Sequence, residues 1–583
     1  MKLHGIIALT SLFSGYLRRV KPRIVPLRPY FQKRSGAGAE VRRRLAFAIM
    51  AVGATSIVAQ IVLLRELIVV FYGNEISVGI LLSSWFLLGA AGSLISAKLA
   101  NRVKDGLALF CLCQLLLSAA LPFLVVLVRH IKFLFGFLPG EIIPLGILAI
   151  TGPLIIAPVS FTLGFIFALG CKIFPVEDPA LKIGRVYILE SVGAAIGGLF
   201  ASFILIKYFS SIQILTGMAV LNMISCIALA NIAQGNRTIT LIKTFSYAVL
   251  VAIATALAFG GIGYLDRSSL EAEWRPLKVL ISKNSIYGNV TVTKSGSQVS
   301  FFTNGLHNFT VPDQLSREES VHFIFSQHED PKDILIIGGG AGGLLREILK
   351  YKVKKIDYIE LDPLIIELAR KFLPGHELDD RRLNIINTDG RLFAKNAPDA
   401  YDVVIISVPD PYTAQLNRFY TKEFFEEAKK AMRINGVLSI GVTSSENYIS
   451  PELGDFLSSI GRTLKDVFAD VAYIPGDTAY FMAAPKKNIL TVDGGEIASK
   501  LVSRNISTGF VSADYLFSKL SKDRVDYMRL ALDRNATIGT NHDFRPISYY
   551  YDMVLWSTYF RSWLHKVLGF INPKTIWSAF LLV

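Results

Sequence analysis

The stretch DILIIGGGAGGLLREILKY, residues 333–351, decides the fold. An apolar strand at 333–337 runs into a loop that is almost entirely glycine, and a helical pattern follows without a break. Glycines permit a tight turn and let a ligand touch the backbone, while the N-terminus of the next helix offers free N–H groups. The stretch therefore predicts a nucleotide-binding turn, whose ligand contacts would come from Gly338, Gly339, Gly340 and Gly342.

Strands continue to alternate with helices after this turn. The pattern predicts strands at 333–337, 355–360, 384–388, 402–407 and 436–442, and helices at about 342–351, 363–372 and 421–433. Such alternation is typical of a parallel, doubly wound, Rossmann-like sheet of the methyltransferase type. Upstream, residues 279–310 alternate polar with β-branched or aromatic residues and contain the turn signals 294–297 and Asn304-Gly305. This segment predicts a small antiparallel sheet of hairpins.

Acidic residues follow three of the predicted parallel strands. Glu360 ends the second strand about 20 residues past the glycine loop, where a carboxylate can bind both hydroxyls of a ribose. Asp389 and Gly390 follow the third strand, where an acid can accept a hydrogen bond from an adenine amino group. Asp410 lies in a Pro-Asp-Pro turn after the fourth strand, stiffly held, and is the candidate catalytic residue. The simpler interpretations are solvated loop acids and a turn-forming aspartate.

The first half of the chain has a different composition. Of 583 residues, 52% are hydrophobic and only 18% are charged, against about 25% charged in soluble proteins. The apolar excess lies mainly before residue 265, in stretches of the roughly 20 residues that a membrane span needs. Seven candidate spans lie at approximately 45–70, 77–98, 106–129, 142–171, 184–207, 210–232 and 241–264.

Several residues inside these spans predict how the helices pack and where charges lie. Gly193 and Gly197 form a small-xxx-small pattern that lets two helices approach closely. Arg65, Glu66 and Glu190 are ionisable residues in or beside apolar segments, so we expect them to form an intramembrane ion pair or to serve transport or a substrate.

The net charge of +15 comes in large part from a basic N-terminal arm. A basic arm beside a first span is an orientation signal, which makes nucleic-acid binding an unneeded explanation. The four cysteines lie inside predicted spans, so neither a disulfide framework nor a metal site is expected in the soluble half.

Five segments are expected along the chain. They are a basic arm (1–44), a transmembrane helical bundle (45–265), a β-hairpin subdomain (266–320), a Rossmann-type domain (321–552) and an amphipathic or membrane-associated C-terminal segment (553–583). The chain is thus predicted to be a multi-pass protein of the cell (inner) membrane. With seven spans the basic loops favour an external soluble domain, whereas the supply of adenosyl compounds favours the cytoplasmic face, which is our expectation.

Four motifs carry a resemblance to a known family. GGGAGGLLREILK, IELDP, TDGRLF and YDVVIISVPDP follow a hairpin domain in this order, and residues 279–485 resemble the spermidine/spermine synthase (polyamine aminopropyltransferase) family. With its membrane half, the chain resembles the membrane-fused branch of that family. The resemblance implies transfer of an aminopropyl group from decarboxylated S-adenosylmethionine to an amine. It assigns the ribose to Glu360, the adenine to Asp389 and the amine to Asp410, and it is compatible with a homodimer.

Three residues depart from the family pattern. Ala341 stands where the family usually has an aspartate that holds the aminopropyl nitrogen, and Ser407 stands where it has the general-base aspartate. Arg317 replaces an expected tyrosine. A serine hydroxyl cannot deprotonate an ammonium group without a neighbouring base, so the amine half of the site is eroded while the adenosine half is intact.

The leading hypothesis is a membrane-bound aminopropyltransferase-like enzyme that uses decarboxylated S-adenosylmethionine or a close relative and a small amine. Asp410 would be the remaining base, with Glu318, Glu319 or His307 near it. One alternative is a methyl or other alkyl transfer from S-adenosylmethionine itself on the same scaffold. Another is a catalytically inactive nucleotide-sensing domain attached to a transport bundle.

Overall fold

The computed structural model describes residues 37–99, 102–103, 105–141, 143–232, 237–397, 399–535 and 537–558. Most of the predicted basic arm (1–44) and of the predicted C-terminal segment (553–583) lies outside these residues. The described residues form two compact units. The first comprises 37–66, 80–130 and 149–269, and the second comprises 67–79, 131–148 and 270–558.

The part of the chain before residue 265 contains, among the described residues, seven helices that are long and apolar enough to cross a membrane. These helices are Ala39–Phe71, Glu75–Leu99, Gly106–Arg129, Leu145–Ile173, Pro179–Tyr208, Ser211–Ala230 and Arg237–Ala258. The predicted number and approximate positions are therefore confirmed. Pro153 and Pro158 lie inside a helix that is continuous from Leu145 to Ile173.

Two glycines in the first unit allow two helices to pack backbone to backbone. The glycines lie on helix Pro179–Tyr208, and the facing residues lie on helix Ala39–Phe71. A Cβ atom added to Gly193 would lie 2.0 Å from the carbonyl oxygen of Met50, and one added to Gly197 would lie 2.8 Å from Cα of Ala54. Neither distance is compatible with a side chain. The close approach predicted from the small-xxx-small pattern is confirmed.

An ion-pair cluster also lies within the first unit. Arg129 donates from Nε to Glu66 Oε2 at 2.8 Å and from Nη1 to Asp266 Oδ1 at 2.8 Å. Because an isolated charge among apolar helices is costly, the simpler of the two expectations, an ion pair, holds for Glu66.

The second unit contains the predicted sheet of hairpins. Strands β1 (Lys278–Asn284), β2 (Asn289–Ser295), β3 (Gln298–Thr303) and β4 (Leu306–Val311) form an antiparallel sheet in chain order. The turn between β3 and β4 is Asn304-Gly305, with φ of +50° and +82°. Positive φ at both central residues suits the twist of a two-residue hairpin, as the Asn-Gly signal predicts.

A seven-stranded sheet forms the centre of the same unit. Its strands are β5 (Asp333–Ile337), β6 (Lys355–Ile359), β7 (Leu383–Ile386), β8 (Tyr401–Ile406), β9 (Met432–Thr443), β10 (Asp470–Ile474) and β11 (Thr478–Ala484). Their order is β10-β11-β9-β8-β5-β6-β7. Strands β5 to β9 pair in parallel, and β11 is antiparallel to both of its neighbours. The predicted parallel sheet is confirmed, and β10 and β11 extend it beyond the predicted strands.

Helices and two apolar layers cover the sheet. Ile334 and Ile336 belong to one layer with the hairpin sheet, and Leu335 and Ile337 belong to the layer on the opposite face, as the two-residue period of a strand requires. The helices of this part are Gln314–Phe325, Leu344–Ile348, Pro363–Phe372, Gly390–Lys395, Ala414–Asn417, Lys422–Ala431, Pro451–Val467, Gly494–Ser503, Ala513–Lys519, Lys522–Asp533 and Ile547–Thr558.

The helix after the glycine loop is shorter than predicted. It spans Leu344–Ile348 and not 342–351, because Gly340–Gly342 form a 3₁₀ turn and Gly343 has a φ of +101°. A residue in this left-handed region cannot belong to an α-helix. The loop therefore separates β5 from the α-helix by the six residues 338–343.

The order of the strands reverses at β5. The chain continues from β5 to β6 and β7 on one side, then returns to place β8 and β9 on the other side. In open α/β sheets of this kind, ligands bind beyond the carboxyl ends of the strands at such a reversal. The glycine loop after β5 and the turn after β8 both lie there.

Candidate functional site at the carboxyl edge of the sheet

The glycine loop is joined to both neighbouring strand ends. The N–H of Gly338 donates to the carbonyl of Ile359, and the N–H of Ser407 donates to the carbonyl of Ile337, each at 2.9 Å. Gly338 and Gly339 have φ of +73° and +64°, and a Cβ atom on Gly339 would lie 2.1 Å from Ser407 Oγ. Glycine is thus required here for its conformation and for space.

Glu360 lies at the end of β6, where sequence analysis placed the ribose acid. Its Oε2 accepts a hydrogen bond from the hydroxyl of Tyr358 at 2.8 Å, and its Oε1 accepts one from the N–H of Asp362 at 3.2 Å. The residue is 7% exposed, and burial raises the pKa of its carboxyl. Since a carboxylate can accept about four hydrogen bonds, this group keeps some acceptor capacity beyond its bonds to Tyr358 and the backbone.

Tyr358 connects Glu360 to the glycine loop. Its hydroxyl accepts a bond from the N–H of Ala341 at 3.4 Å while it donates to Glu360. A Cβ atom on Gly340 would lie 2.8 Å from the Tyr358 ring. The ring thus packs directly under the loop and fixes the distance between loop and carboxylate.

Asp389 follows β7 and caps a helix. Its Oδ1 accepts bonds from the N–H groups of Arg391 and Leu392, each at 3.0 Å, and its Oδ2 pairs with Arg418. Gly390, the first residue of that helix, is buried against Ile337, to which a Cβ atom would come within 2.5 Å. Asp389 is therefore held by protein donors on both oxygens, and its predicted contact with adenine stays a prediction.

A cavity of about 540 Å³ opens beside the end of β8. Its walls come from the turn after β8, the end of β9, the starts of β11 and β4, and the first turns of helix Gln314–Phe325. Helix Ile547–Thr558 and residues Tyr72 and Asn74 complete it. Ser407 lies in the wall, so the cavity is adjacent to the glycine loop.

Three acidic residues line this cavity: Asp313, which lies 3.9 Å from Arg317, and Asp410 and Asp552. Asp410 Oδ1 accepts the N–H of Thr443 at 3.2 Å. Burial raises the pKa of Asp410, and burial together with the charge of Asp410 raises the pKa of Asp552 well above its ordinary value. Two like charges in a partly dehydrated cavity favour either protonation of one acid or a bound cation.

Of the three residues expected beside Asp410, His307 lines the cavity with it, whereas Glu318 and Glu319 do not. Glu318 is fully buried and accepts the backbone N–H groups of three consecutive residues, 509–511, at 2.6 to 2.9 Å. Glu319 binds Tyr515 and, at 3.2 Å, Lys519. The donors that hold both carboxylates thus come from residues of the C-terminal region.

Other predicted residues do line the cavity, and several that line it were missed. His307, Arg317 and Ser407 belong to the wall together with Asp410, whereas Glu360, Asp389 and the loop glycines lie outside it. The missed residues are Tyr72, Asn74, Asp552 and Trp556. They come from segments far from the motifs, and no spacing signal connects them to the site. Tyr358, by contrast, lies two residues before Glu360 on the same face of β6, a position that alternation could have revealed.

Comparisons with known proteins agree with the motifs. Residues 314–493 match the Spermine/spermidine synthase domain. The chain is 34% identical over 219 residues to the spermine synthase of Saccharomyces cerevisiae, which covers 36% of this chain and 68% of that protein. It is 25% identical over 343 residues to the polyamine aminopropyltransferase of Oceanobacillus iheyensis, covering 57% of this chain and 64% of that protein.

Among solved structures, the spermidine synthase of Thermotoga maritima aligns with 44% of this chain and 87% of its own, at 23% identity and a TM-score of 0.37. The domain is α/β, and the relatives that it matches are transferase enzymes. The chain belongs to the spermine/spermidine synthase family.

The acid pair gives a prediction about stability. An acid whose pKa is raised by folding stabilises the fold fully below its unfolded pKa, about 3.9 for aspartate, and this contribution is lost as pH rises through the folded pKa. Asp552→Asn should therefore raise the melting temperature of the ligand-free protein by a few degrees at about pH 8. The gain should shrink as pH falls towards 4, and melting curves across this range measure it.

The matched control is Asp526→Asn, which removes an aspartate whose side chain is 45% exposed and whose contact with Arg529 is 3.9 Å long. Its melting temperature should follow the wild type at every pH. A variant at Asp552 that melts at or below the wild-type temperature at pH 8 would contradict the opposed acid pair.

Proposed function

We propose that the chain is a membrane-bound transferase of the spermidine synthase type, which moves an aminopropyl group, or a close relative of it, from an adenosyl sulfonium donor to an amine. The proposed donor is decarboxylated S-adenosylmethionine. The observation that carries the proposal is the cavity beside the glycine loop, which contains Asp410 and Asp552.

The residues at the strand ends fit an adenosyl group. Glu360 keeps acceptor capacity for a ribose hydroxyl, and Tyr358 holds it at a fixed distance from the loop. Gly339 packs directly against Ser407, which keeps the loop beside the end of β8. The donor supplies a sulfonium, whose neighbouring carbon is open to attack.

The chemistry needs an amine held and deprotonated near that carbon. The amine nitrogen forms a new bond to the carbon, the carbon–sulfur bond breaks, and its electron pair stays on sulfur, which leaves methylthioadenosine. The proton of the ammonium goes to a base. Asp410 suits this role because burial raises the pKa of its carboxyl, which brings the base closer to the working pH. Asp552 would bind the second charge of the amine.

Ser407 cannot replace a carboxylate as base, which makes Asp410 the proposed catalytic residue. In purified full-length protein, Asp410→Asn should lower kcat by about a hundredfold and leave donor affinity unchanged. Glu360→Ala should weaken donor affinity by roughly tenfold or more, because it removes charge-assisted hydrogen bonds. Product mass spectrometry with decarboxylated S-adenosylmethionine and a panel of amines measures activity, and calorimetry measures affinity.

The exposed Glu367→Gln is the matched control for Glu360, since Glu367 pairs only with Lys283 at the surface of the described residues. Methylated products from S-adenosylmethionine would replace the aminopropyl proposal with the methyl-transfer alternative. Donor binding without any product would favour the nucleotide-sensing alternative. Unchanged donor affinity in Glu360→Ala would remove the ribose assignment.

We also propose that the chain is a multi-pass protein of the cell membrane with the α/β unit on the cytoplasmic face. Seven long apolar helices support the membrane placement, and the cytoplasmic origin of adenosyl donors supports the side.

Cysteine labelling tests the side directly. Ser297 lies exposed in the turn between β2 and β3, and three of the four native cysteines are buried. Ser297→Cys should resist a charged, impermeant maleimide in intact cells and react after lysis. The wild-type chain provides the background signal. Labelling in intact cells would place this unit outside.

A further inference from the structure

Arg317 is an incompletely paired cation in the cavity wall. It lies in the first turn of helix Gln314–Phe325, and 15% of its side chain is exposed. Its nearest carboxylate is that of Asp313, with Nη2 and Oδ2 3.9 Å apart, and Asp313 also accepts the N–H of Ser316. The buried Nε of Arg317 has no hydrogen-bond partner among the described residues.

A buried guanidinium with an unsatisfied donor contributes little to the stability of the fold and is suited to bind a ligand. Burying a donor without an acceptor costs free energy, and burial lowers the pKa of Arg317. The planar fork of arginine matches a carboxylate, which can satisfy two of its donors at once. The carboxylate of a ligand would therefore supply the hydrogen-bond acceptors that the protein does not provide to Arg317.

The position of Arg317 connects the cavity with the glycine loop. A Cβ atom on Gly343 would lie 3.4 Å from Arg317 Cγ, so the side chain passes directly over the end of the loop. The six loop residues 338–343 carry no charge of their own. A donor tail with only positive groups would meet a like charge at Arg317.

The cavity thus has charges of both signs on separate elements. Arg317 belongs to the helix after the hairpin sheet, while Asp410 and Asp552 come from the turn after β8 and from helix Ile547–Thr558. A diamine would match Asp410 and Asp552 and leave the guanidinium with only the Asp313 carboxylate at 3.9 Å. A ligand with both an amine and a carboxylate would match all three.

We infer that the site takes a carboxylate-bearing ligand whose carboxylate binds Arg317 while its amino group faces the acids. This inference rests on the proposed function: a carboxylate on the acceptor narrows its amine to amino-acid-like compounds, and a carboxylate on the donor replaces its decarboxylated donor. The carboxylate has two sources. It belongs either to the donor, as in S-adenosylmethionine, or to the acceptor, as in an amino acid with a side-chain amine.

Two ligand pairs that differ by one carboxylate separate these sources. S-adenosylmethionine is compared with its decarboxylated form, and ornithine is compared with putrescine in the presence of methylthioadenosine. Calorimetry on the full-length protein in detergent should show that the carboxylate-bearing member of one pair binds at least about tenfold more tightly. A preference in the first pair shows that the carboxylate belongs to the donor, and a preference in the second pair shows that it belongs to the acceptor.

Variants at Arg317 test whether this residue causes the preference for the carboxylate-bearing ligand. Arg317→Gln should abolish it, and Arg317→Lys should keep part of it, because lysine retains the charge without the fork. Both should bind methylthioadenosine as the wild type does, which shows that the site is folded. Arg346→Gln removes a nearby arginine that is 52% exposed and pairs with Glu377, and it should keep the full preference.

Equal or weaker binding of the carboxylate-bearing member in both pairs would overturn the inference, as would a preference that survives in Arg317→Gln. Failure of methylthioadenosine to bind the wild-type chain would instead refute the adenosyl site of the proposed function. The comparison of ornithine with putrescine would then be made without it and would still decide the role of Arg317.

Discussion

The turn after β5 can exist only because it carries no side chain where it faces Ser407. Two backbone hydrogen bonds, from Gly338 to β6 and from Ser407 to β5, fix three strand ends in one plane. At this separation a single Cβ atom on Gly339 would collide with the Ser407 side chain. The absence of a side chain at Gly339 therefore lets the loop lie close to both the acid at the end of β6 and the cavity beyond β8.

Polar groups around this turn divide into those that the protein satisfies itself and those that it leaves open. Glu318 is saturated by three backbone donors, and Asp389 is held by its helix and by Arg418. Glu360 retains acceptor capacity, while Asp410, Asp552 and Arg317 line the cavity with incomplete compensation. Binding groups are those whose charge or hydrogen-bonding capacity a ligand must complete.

Much of the fold could be predicted because its signals are local. An apolar run before the glycines predicted β5, the alternation that followed predicted the parallel strands, and Asn304-Gly305 predicted a hairpin turn that the structure contains. Length and hydropathy predicted seven long helices. The helix predicted after the glycine loop begins too early. The left-handed backbone at Gly343 is imposed by the tertiary structure, and the sequence pattern does not reveal it.

The amine side of the site could not be predicted in the same way. Asp552 reaches the cavity because helix Ile547–Thr558 packs on helix Pro451–Val467, where the hydroxyls of Ser548 and Ser459 lie 2.9 Å apart. The expected boundary at residue 552 runs through this helix. Likewise, the direction of Glu318 is set by a loop almost two hundred residues later. Long-range packing of this kind leaves no periodicity in the sequence.

The most direct test of the account is a structure of the protein with methylthioadenosine bound. We expect both ribose hydroxyls within hydrogen-bond distance of the Glu360 carboxylate, the Tyr358 hydroxyl still on that carboxylate, and the thioether sulfur directed into the cavity that contains Asp410 and Asp552. A nucleoside bound elsewhere, or bound at the glycine loop with its ribose away from Glu360, would contradict the account.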